Sequence, residues 1–409
     1  ATAAAILSLG FALSRQRKNM EAASSAQRII TPPPGRISRQ LSKESHQLSD
    51  AEIRAYNHEL KMQERLRQAD YLPPTRSQTR SVTVRVPATT ANMGPGFDTI
   101  GMALDMWSEV TVSLSDKFEL TNEGEGASEI PTDETNLVVV GLKQAFEYAG
   151  LKVPPLKYRC VNRIPYARGL GSSSAAIIGG ILAGLVMSGH KLQMWGAEEL
   201  FNIASQIEGH PDNAAAAIYG GIQVGIHTGD RWRSERVNLP TGLQTVVFIP
   251  KGVGKTSDAR DVLPKKYDRE TCVFNIGRVA WLLNAFATNN LDNLKYGVED
   301  MMHQKQRGKV YKHLGPMIKA AQDAGACCCY LSGAGPSILA LTTGASGDIF
   351  AQQESERVDR VVAAAMLECA ASLGVAGEVL ITEPVLRGAH VVSASPSFST
   401  PLVRYAGDV

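Results

Sequence analysis

The chain has 409 residues, enough for two or three domains with cores of their own. Its 44% hydrophobic and 20% charged residues are those of an ordinary globular protein, not of a disordered or fibrous one. The formal net charge of +2 is uneven: residues 1–43 hold seven Lys and Arg against Glu21 alone, so the remainder is mildly acidic and is not a nucleic-acid-binding body. No apolar run reaches the ~18 residues of a membrane-spanning helix, so no membrane partner is expected.

The first eighty residues read as an appendage. Residues 1–43 are rich in Ala, Ser and Arg and nearly free of acid, the composition of an organelle transit peptide or of a basic tail. The first reading puts the protein in the plastid stroma, the second in the cytoplasm. Ser49 and Glu52 then form a capping box ahead of Ile53, Tyr56 and Leu60 on one face, which predicts a helix ended by Pro73-Pro74. From Ser81 onward "SVTVRVPA" alternates as a strand does and gives way to "TTANMGPGFD", a turn carrying Asn92, Gly94, Gly96 and Asp98. "WSEVTVSLS" predicts a second strand, "NLVVVGLKQAFEYAG" a helix ending at Gly150, and "LKYRCVNRIP" another strand.

That strand leads into "PYARGLGSSSAA", residues 165–176, and then into an apolar helix. The first backbone N–H groups of a helix have no intrahelical partner and carry partial positive charge. Glycines let such a turn close on a phosphate, and serine hydroxyls add donors. The same residues could equally cap a buried helix. A second cluster, "EGHPDN" at 208–213, packs Glu208, His210, Asp212 and Asn213 into six residues. It reads as a solvated loop, as an N-cap at Asp212-Asn213, or as a metal site; no second His stands at i+3 or i+4 to support zinc. "LQTVVFIP" predicts the first strand of a second half. "KGVGKTS" at 251–257 lacks the Gly at 249 that a P-loop needs, since Ile249 stands there. "SGAGPS" carries Gly333 and Gly335 but has Ile338 where a dinucleotide fingerprint has its third Gly. The six cysteines form no C-x-x-C pair, and Cys327-Cys328-Cys329 read as part of a buried strand in a reducing compartment.

Four glycine-bearing or polar loops, each between regular elements, occur in one order: "VPATTANMGPGFD", "PYARGLGSSSAA", "HPDN" and "SGAGPS". Together they resemble the GHMP kinase superfamily, and within it the branch that phosphorylates homoserine, over roughly residues 81–393. The resemblance implies an α+β fold of two domains: a domain like the second domain of ribosomal protein S5 over 81–242, and a ferredoxin-like domain over 243–393. Residues 1–80 would be an extension and 394–409 a tail, with the active site in the cleft. It implies ATP and Mg²⁺ as cofactors and L-homoserine as acceptor, giving O-phospho-L-homoserine in threonine biosynthesis. A homodimer is left open.

The resemblance also assigns residues. Asn136 would help hold the adenosine. The phosphates would lie on the backbone N–H groups of Gly169, Leu170, Gly171, Ser172 and Ser173, with Pro165, Arg168, Ser174, Gly333 and Gly335 also in the ATP site. Ser173 and Glu208 would hold Mg²⁺, with Glu198 and Glu199 as alternatives for the carboxylate. Ser174 stands where many members carry Ala and is read as extending the cap. Asn92 and Asp98 would take the ammonium of the acceptor, and Arg260 and Arg307 its carboxylate. His210 and Asp212 would line the pocket, and Asn213 would orient the hydroxyl. A mevalonate- or shikimate-type kinase would carry Asp at 213 and a basic residue in the first motif. A non-catalytic protein on this fold would be expected to lose Ser173 or the loop around it.

Overall fold

The computed structural model describes residues 79–189, 196–252, 256–343 and 357–397. The helix expected after Ser49, and all else before residue 79, lies outside these residues. A first set of elements runs β1 (Ser81–Ala91), β2 (Ile100–Leu114), β3 (Glu119–Gly124), α1 (Leu137–Tyr148), β4 (Leu156–Asn162), α2 (Ser172–Met187), α3 (Gly196–Glu208), α4 (Asp212–Tyr219), β5 (Ile222–His227) and β6 (Trp232–Val237). A second runs β7 (Gln244–Pro250), α5 (Arg269–Ala287), α6 (Leu314–Asp323), β8 (Cys328–Leu331), β9 (Ile338–Thr342), α7 (Val358–Ser372), β10 (Gly377–Thr382) and β11 (His390–Ser395). Short helical turns at Thr256–Asp261, Leu294–Gly297 and Gln304–Arg307 join α5 and α6 to the rest.

β1 starts as a half-buried strand, with Val82, Val84 and Val86 turned to the core. From Val86 to Ala91 burial becomes continuous, because here the strand is covered on both faces. β2 is long enough to pair with β4 through Glu109–Leu114 and with β5 through Ile100–Met102. The seven-stranded sheet thus has the order β11-β1-β2-β4-β3, with β5 on β2 and β6 on β5. β3, "ELTNEG", is an edge strand parallel to β4; it stays half exposed, which is why its polar sequence carried no strand signal.

α2 is apolar all round and packs on β1 and β2, with α1 outside it. The two helices touch backbone to backbone. A Cβ on Gly141 would stand 2.2 Å from Ile177 O, and one on Gly180 2.0 Å from Val138 O. The second sheet has the antiparallel order β10-β7-β9-β8. Numbered within their own unit these strands are 4-1-3-2, with helices between the first and second and between the third and fourth, the ferredoxin-like βαββαβ arrangement. One face packs on α6 and α7 through Val246, Phe248, Met317, Val362 and Met366. The other face, with Val247, Leu339 and Leu341, joins the core of the first sheet. Cys328 and Cys329 sit on opposite faces of β8, both buried, and all six cysteines are free thiols.

β11 leaves the second unit and pairs antiparallel with β1, from Arg85↔His390 to Ser81↔Ser395. A strand therefore runs across position 394, where the tail was expected to begin. No helix among the described residues is long and apolar enough to cross a membrane.

Candidate active site

The loop between β4 and α2 turns through Ala167 (φ 53°), Gly169 (φ 74°) and Gly171 (φ 75°). Left-handed backbone at both glycines swings the first turn of α2 toward a cavity of about 650 Å³. Close approach makes the same demand. A Cβ on Gly171 would lie 2.0 Å from Thr89 Oγ1, and one on Gly169 2.3 Å from Ser332 O. Leu170 is buried and its carbonyl accepts from Thr89 N, so the loop is seated on β1. Gly169, Gly171, Ser172, Ser173 and Ser174 line the cavity, with Asn136 on one wall and Gly333 on another.

The loop after β8 closes on it. Ser332 Oγ donates to Gly169 O, Ser337 N donates to Arg168 O, and Gly333 N donates to Ala91 O. Gly335 turns this loop at φ 85° but does not reach the cavity wall, and neither do Pro165, Arg168 and Leu170. Arg168 was expected in the ATP site. Its three guanidinium nitrogens instead donate to the carbonyls of Pro250, Tyr166 and Lys251, which ties the loop to the end of β7. Asn136 lines the cavity, yet it also caps α1: Oδ1 accepts from Val138 N and Nδ2 donates to Pro131 O.

Glu208 ends α3 beside the first turn of α2. Its Oε2 accepts a 2.7 Å hydrogen bond from Ser174 Oγ, while Oε1 is sealed from solvent without a protein donor. Burial pushes its carboxyl up to about 7, against the pull of His210 and Ser174. Ser173, expected beside Glu208, is exposed on the cavity wall; the neighbour of Glu208 is Ser174. The alternative carboxylates lie at the far end of α3, where Glu198 pairs with Arg231.

At the other side of the cavity Asn213 Oδ1 accepts from Thr89 Oγ1 at 2.7 Å. His210 Nδ1 donates to Asp212 Oδ1 at 2.7 Å. Burial works against the imidazolium, but that hydrogen bond and the charges of Asp212, Glu208 and Asp98 outweigh it and raise His210 to about 9. Ligand atoms of Asp98, His210 and Asp212 lie within 4.8 Å of one another.

Asp98 itself faces Arg260 in a two-pronged ion pair, Nη1–Oδ2 3.0 Å and Nη2–Oδ1 2.7 Å. Two residues expected to hold opposite ends of an acceptor thus hold each other. Arg307 is buried, and two of its three guanidinium nitrogens are engaged: Nε donates to Ala259 O, and Nη1 to Gly333 O and His303 Nδ1. Asn92 is also committed, for Nδ2 donates to Gly333 O and Oδ1 accepts from Asp98 N. Its work is to join the first glycine loop to the last.

Four side chains here carried no signal of their own in the sequence. Thr89 supports both Gly171 and Asn213. Ser332 holds Gly169. Phe97 lies between the guanidinium carbons of Arg260 and Arg307, at 5.6 and 5.4 Å. His303 donates from Nε2 to Gly94 O and accepts on Nδ1 from Arg307, and burial holds it below the usual imidazole range as a neutral ring. Thr89, Phe97 and Ser332 do fall inside quoted motifs, so proximity to a glycine was the one available hint.

Residues 136–221 match the family described as GHMP kinases N terminal domain, and residues 282–371 match GHMP kinases C terminal. With the two sheets and the interlocked glycine loops, this defines a small-molecule kinase of the GHMP class. The chain is 44% identical over 261 residues to a homoserine kinase of Moorella thermoacetica, covering 64% of this chain and 87% of that protein. It is 35% identical over 311 residues to the homoserine kinase of Desulfitobacterium hafniense, covering 76% of this chain and all of the relative. Among solved structures, the homoserine kinase of Cytophaga hutchinsonii superposes with a TM-score of 0.67 at 28% identity, over 77% of this chain and 98% of the other. The chain belongs to the homoserine kinase family.

Proposed function

We propose that the chain transfers the γ-phosphoryl group of ATP to the side-chain hydroxyl of L-homoserine, giving O-phospho-L-homoserine. The observation that carries this reading is the convergence of the two glycine loops, Glu208 and Asn213 on one cavity. Residues 81–242 would supply the phosphate loop, and residues 243–393 the loop that closes on it and the arginines. In this reaction a protein mainly positions groups and balances charge. The open amides at the first turn of α2 would hold the phosphates, with Asn136 at the nucleoside end. The sealed, unpartnered Glu208 Oε1 fits a divalent cation, since a buried carboxylate oxygen otherwise lacks a partner. Glu208 and Ser173 would hold Mg²⁺, which supplies neutralisation of the phosphate oxygens.

For the acceptor, the Asp98–Arg260 ion pair is the natural receptor of a zwitterion. The substrate ammonium would take Asp98 and its carboxylate Arg260, so each charge exchanges one partner for another. Arg307 supports this site through Phe97 and through the bonds that Nε and Nη1 make inside the protein. Thr89 fixes the Asn213 amide, leaving Nδ2 to donate to the acceptor oxygen and orient it. His210, raised to about 9 and paired with Asp212, is a cation at neutral pH and not a base. The hydroxyl proton therefore leaves late, to the phosphoryl group or to water, which a loose transition state permits.

ADP release measured with homoserine, mevalonate, shikimate, serine and threonine as acceptors tests the reading. Turnover with homoserine well above the others is expected. Turnover with mevalonate or shikimate in its place would overturn the acceptor.

A further inference from the structure

We propose that Ser174 is a positioning residue for the cation ligand Glu208: its hydroxyl fixes one carboxylate oxygen and leaves the other, Oε1, as the oxygen offered to a divalent cation. The proposal rests on the reading of Glu208 as a cation ligand given above.

A serine in the first turn of a helix ordinarily turns back to the local backbone. Ser174 does not. Its hydroxyl reaches across to Glu208, 34 positions away in the chain, at 2.7 Å. The side chain is 1% exposed, so no water competes for it. Both ends of the contact are anchored, Ser174 on the buried helix α2 and Glu208 at the last position of α3. A carboxylate rotates freely about its terminal torsion, whose wells are broad and two-fold. One donor on Oε2 removes that freedom. The sealed Oε1 is the acceptor that remains, on a side chain that lines the cavity. Mg²⁺ demands near-ideal octahedral geometry at about 2.0–2.1 Å, so a ligand held in one orientation binds it better than one that must be ordered. Alanine at 174 would fill the same space without the donor. The third serine of "GLGSSS" is then a support for the ligand and not an extension of the helix cap.

Ser174→Ala, Ser174→Thr and Glu208→Gln in the full chain test this. Mn²⁺ binding in the presence of ADP is followed by electron paramagnetic resonance, alongside metal-free Tm, kcat and the KM for homoserine. Ser174→Ala is expected to weaken Mn²⁺ binding by about tenfold, the lower end for loss of an outer partner. Its kcat should recover at high metal, with homoserine KM unchanged and metal-free Tm lowered only by the loss of one buried hydrogen bond. Ser174→Thr, which keeps the hydroxyl, should bind Mn²⁺ as the wild type does. If Ser174→Ala stays within twofold of wild type while Glu208→Gln loses Mn²⁺, the positioning role is wrong and the ligand stands. If Glu208→Gln also binds normally, the ligand assignment fails and the proposal with it. A fall in metal-free Tm with no change in Mn²⁺ affinity makes Ser174 structural only and overturns the proposal.

Discussion

At His210 two effects oppose each other. Burial favours the neutral ring, while the hydrogen bond and charge of Asp212 favour the cation, and the cation wins with a pKa of about 9. The unfolded ring titrates near 6.5. The folded state therefore binds the proton more tightly, and the stabilisation is complete below pH 6.5, falls between 6.5 and 9, and is lost above 9. Thermal unfolding of His210→Gln should show a flatter pH dependence across that window than wild type, and equal slopes would sink the assignment. The two arginines separate in the same way. Arg260 is part-exposed and pairs with Asp98, so Arg260→Leu should leave the fold intact. It should lower kcat/KM for homoserine by roughly 30-fold or more, from about 2–5 kcal/mol for one partner of a charge pair in a cleft. Arg307→Leu strands the carbonyl of Ala259 and Nδ1 of His303 in the interior, and leaves Gly333 O to Asn92 alone. It should lower Tm by an amount matching about 3 kcal/mol and damage ATP and homoserine kinetics together. A normal Tm with a defect confined to homoserine would return Arg307 to direct carboxylate binding.

Elements here meet through glycines that do different jobs. Gly141 and Gly180 let α1 and α2 touch along their backbones and are not themselves part of the cavity lining. Gly180→Ala should destabilise by about 1–3 kcal/mol through overpacking, with the specific activity of the remaining folded enzyme unchanged. Gly171 combines a left-handed backbone with Thr89 at its shoulder. Gly171→Ala should displace Thr89, free the Asn213 amide it holds, and reduce kcat by ten-fold or more while Tm moves little more than for Gly180→Ala. Stopped turnover in the first variant and normal turnover in the second would invert this assignment. The hairpin β5–β6 extends the sheet without entering the site, whereas the edge strand β3 reaches the cavity wall through Asn122.

On the scale of the molecule, the first sheet is completed by its last described strand. β11 zips onto β1 and so holds the C-terminal unit against the sheet that carries the phosphate loop. Arg168 reinforces the joint by gripping the end of β7. Every side chain placed at the site lies between Thr89 and Gly335. Removing residues 1–78 should therefore leave kinase activity nearly unchanged, as read by ADP release with homoserine. A folded but inactive product would show that the segment contributes to the site.

By itself the sequence determined the local decisions. The alternating valines of β1, the Asn136 cap and apolar face of α1, the apolar run of α2 and the left-handed turn at Gly169-Leu170-Gly171 depend on near neighbours along the chain. A strand, a helix end or a phosphate turn is written in residues a few positions apart, and the motif order carried the family with it. Tertiary structure decided which polar atoms remained free. Arg168, Asn92 and Arg307 have the chemistry to bind ligands, but several of their donors were taken by backbone carbonyls brought in from 26 to 241 positions away. Ser174 and Glu208 became partners only because the ends of α2 and α3 cross. Asp98 and Arg260, 162 positions apart, became a pair because the first glycine loop meets the short helix Thr256–Asp261. Hydrogen bonds between distant segments leave no periodic trace in a sequence, since a donor is satisfied equally well by any carbonyl that folding brings within about 3 Å.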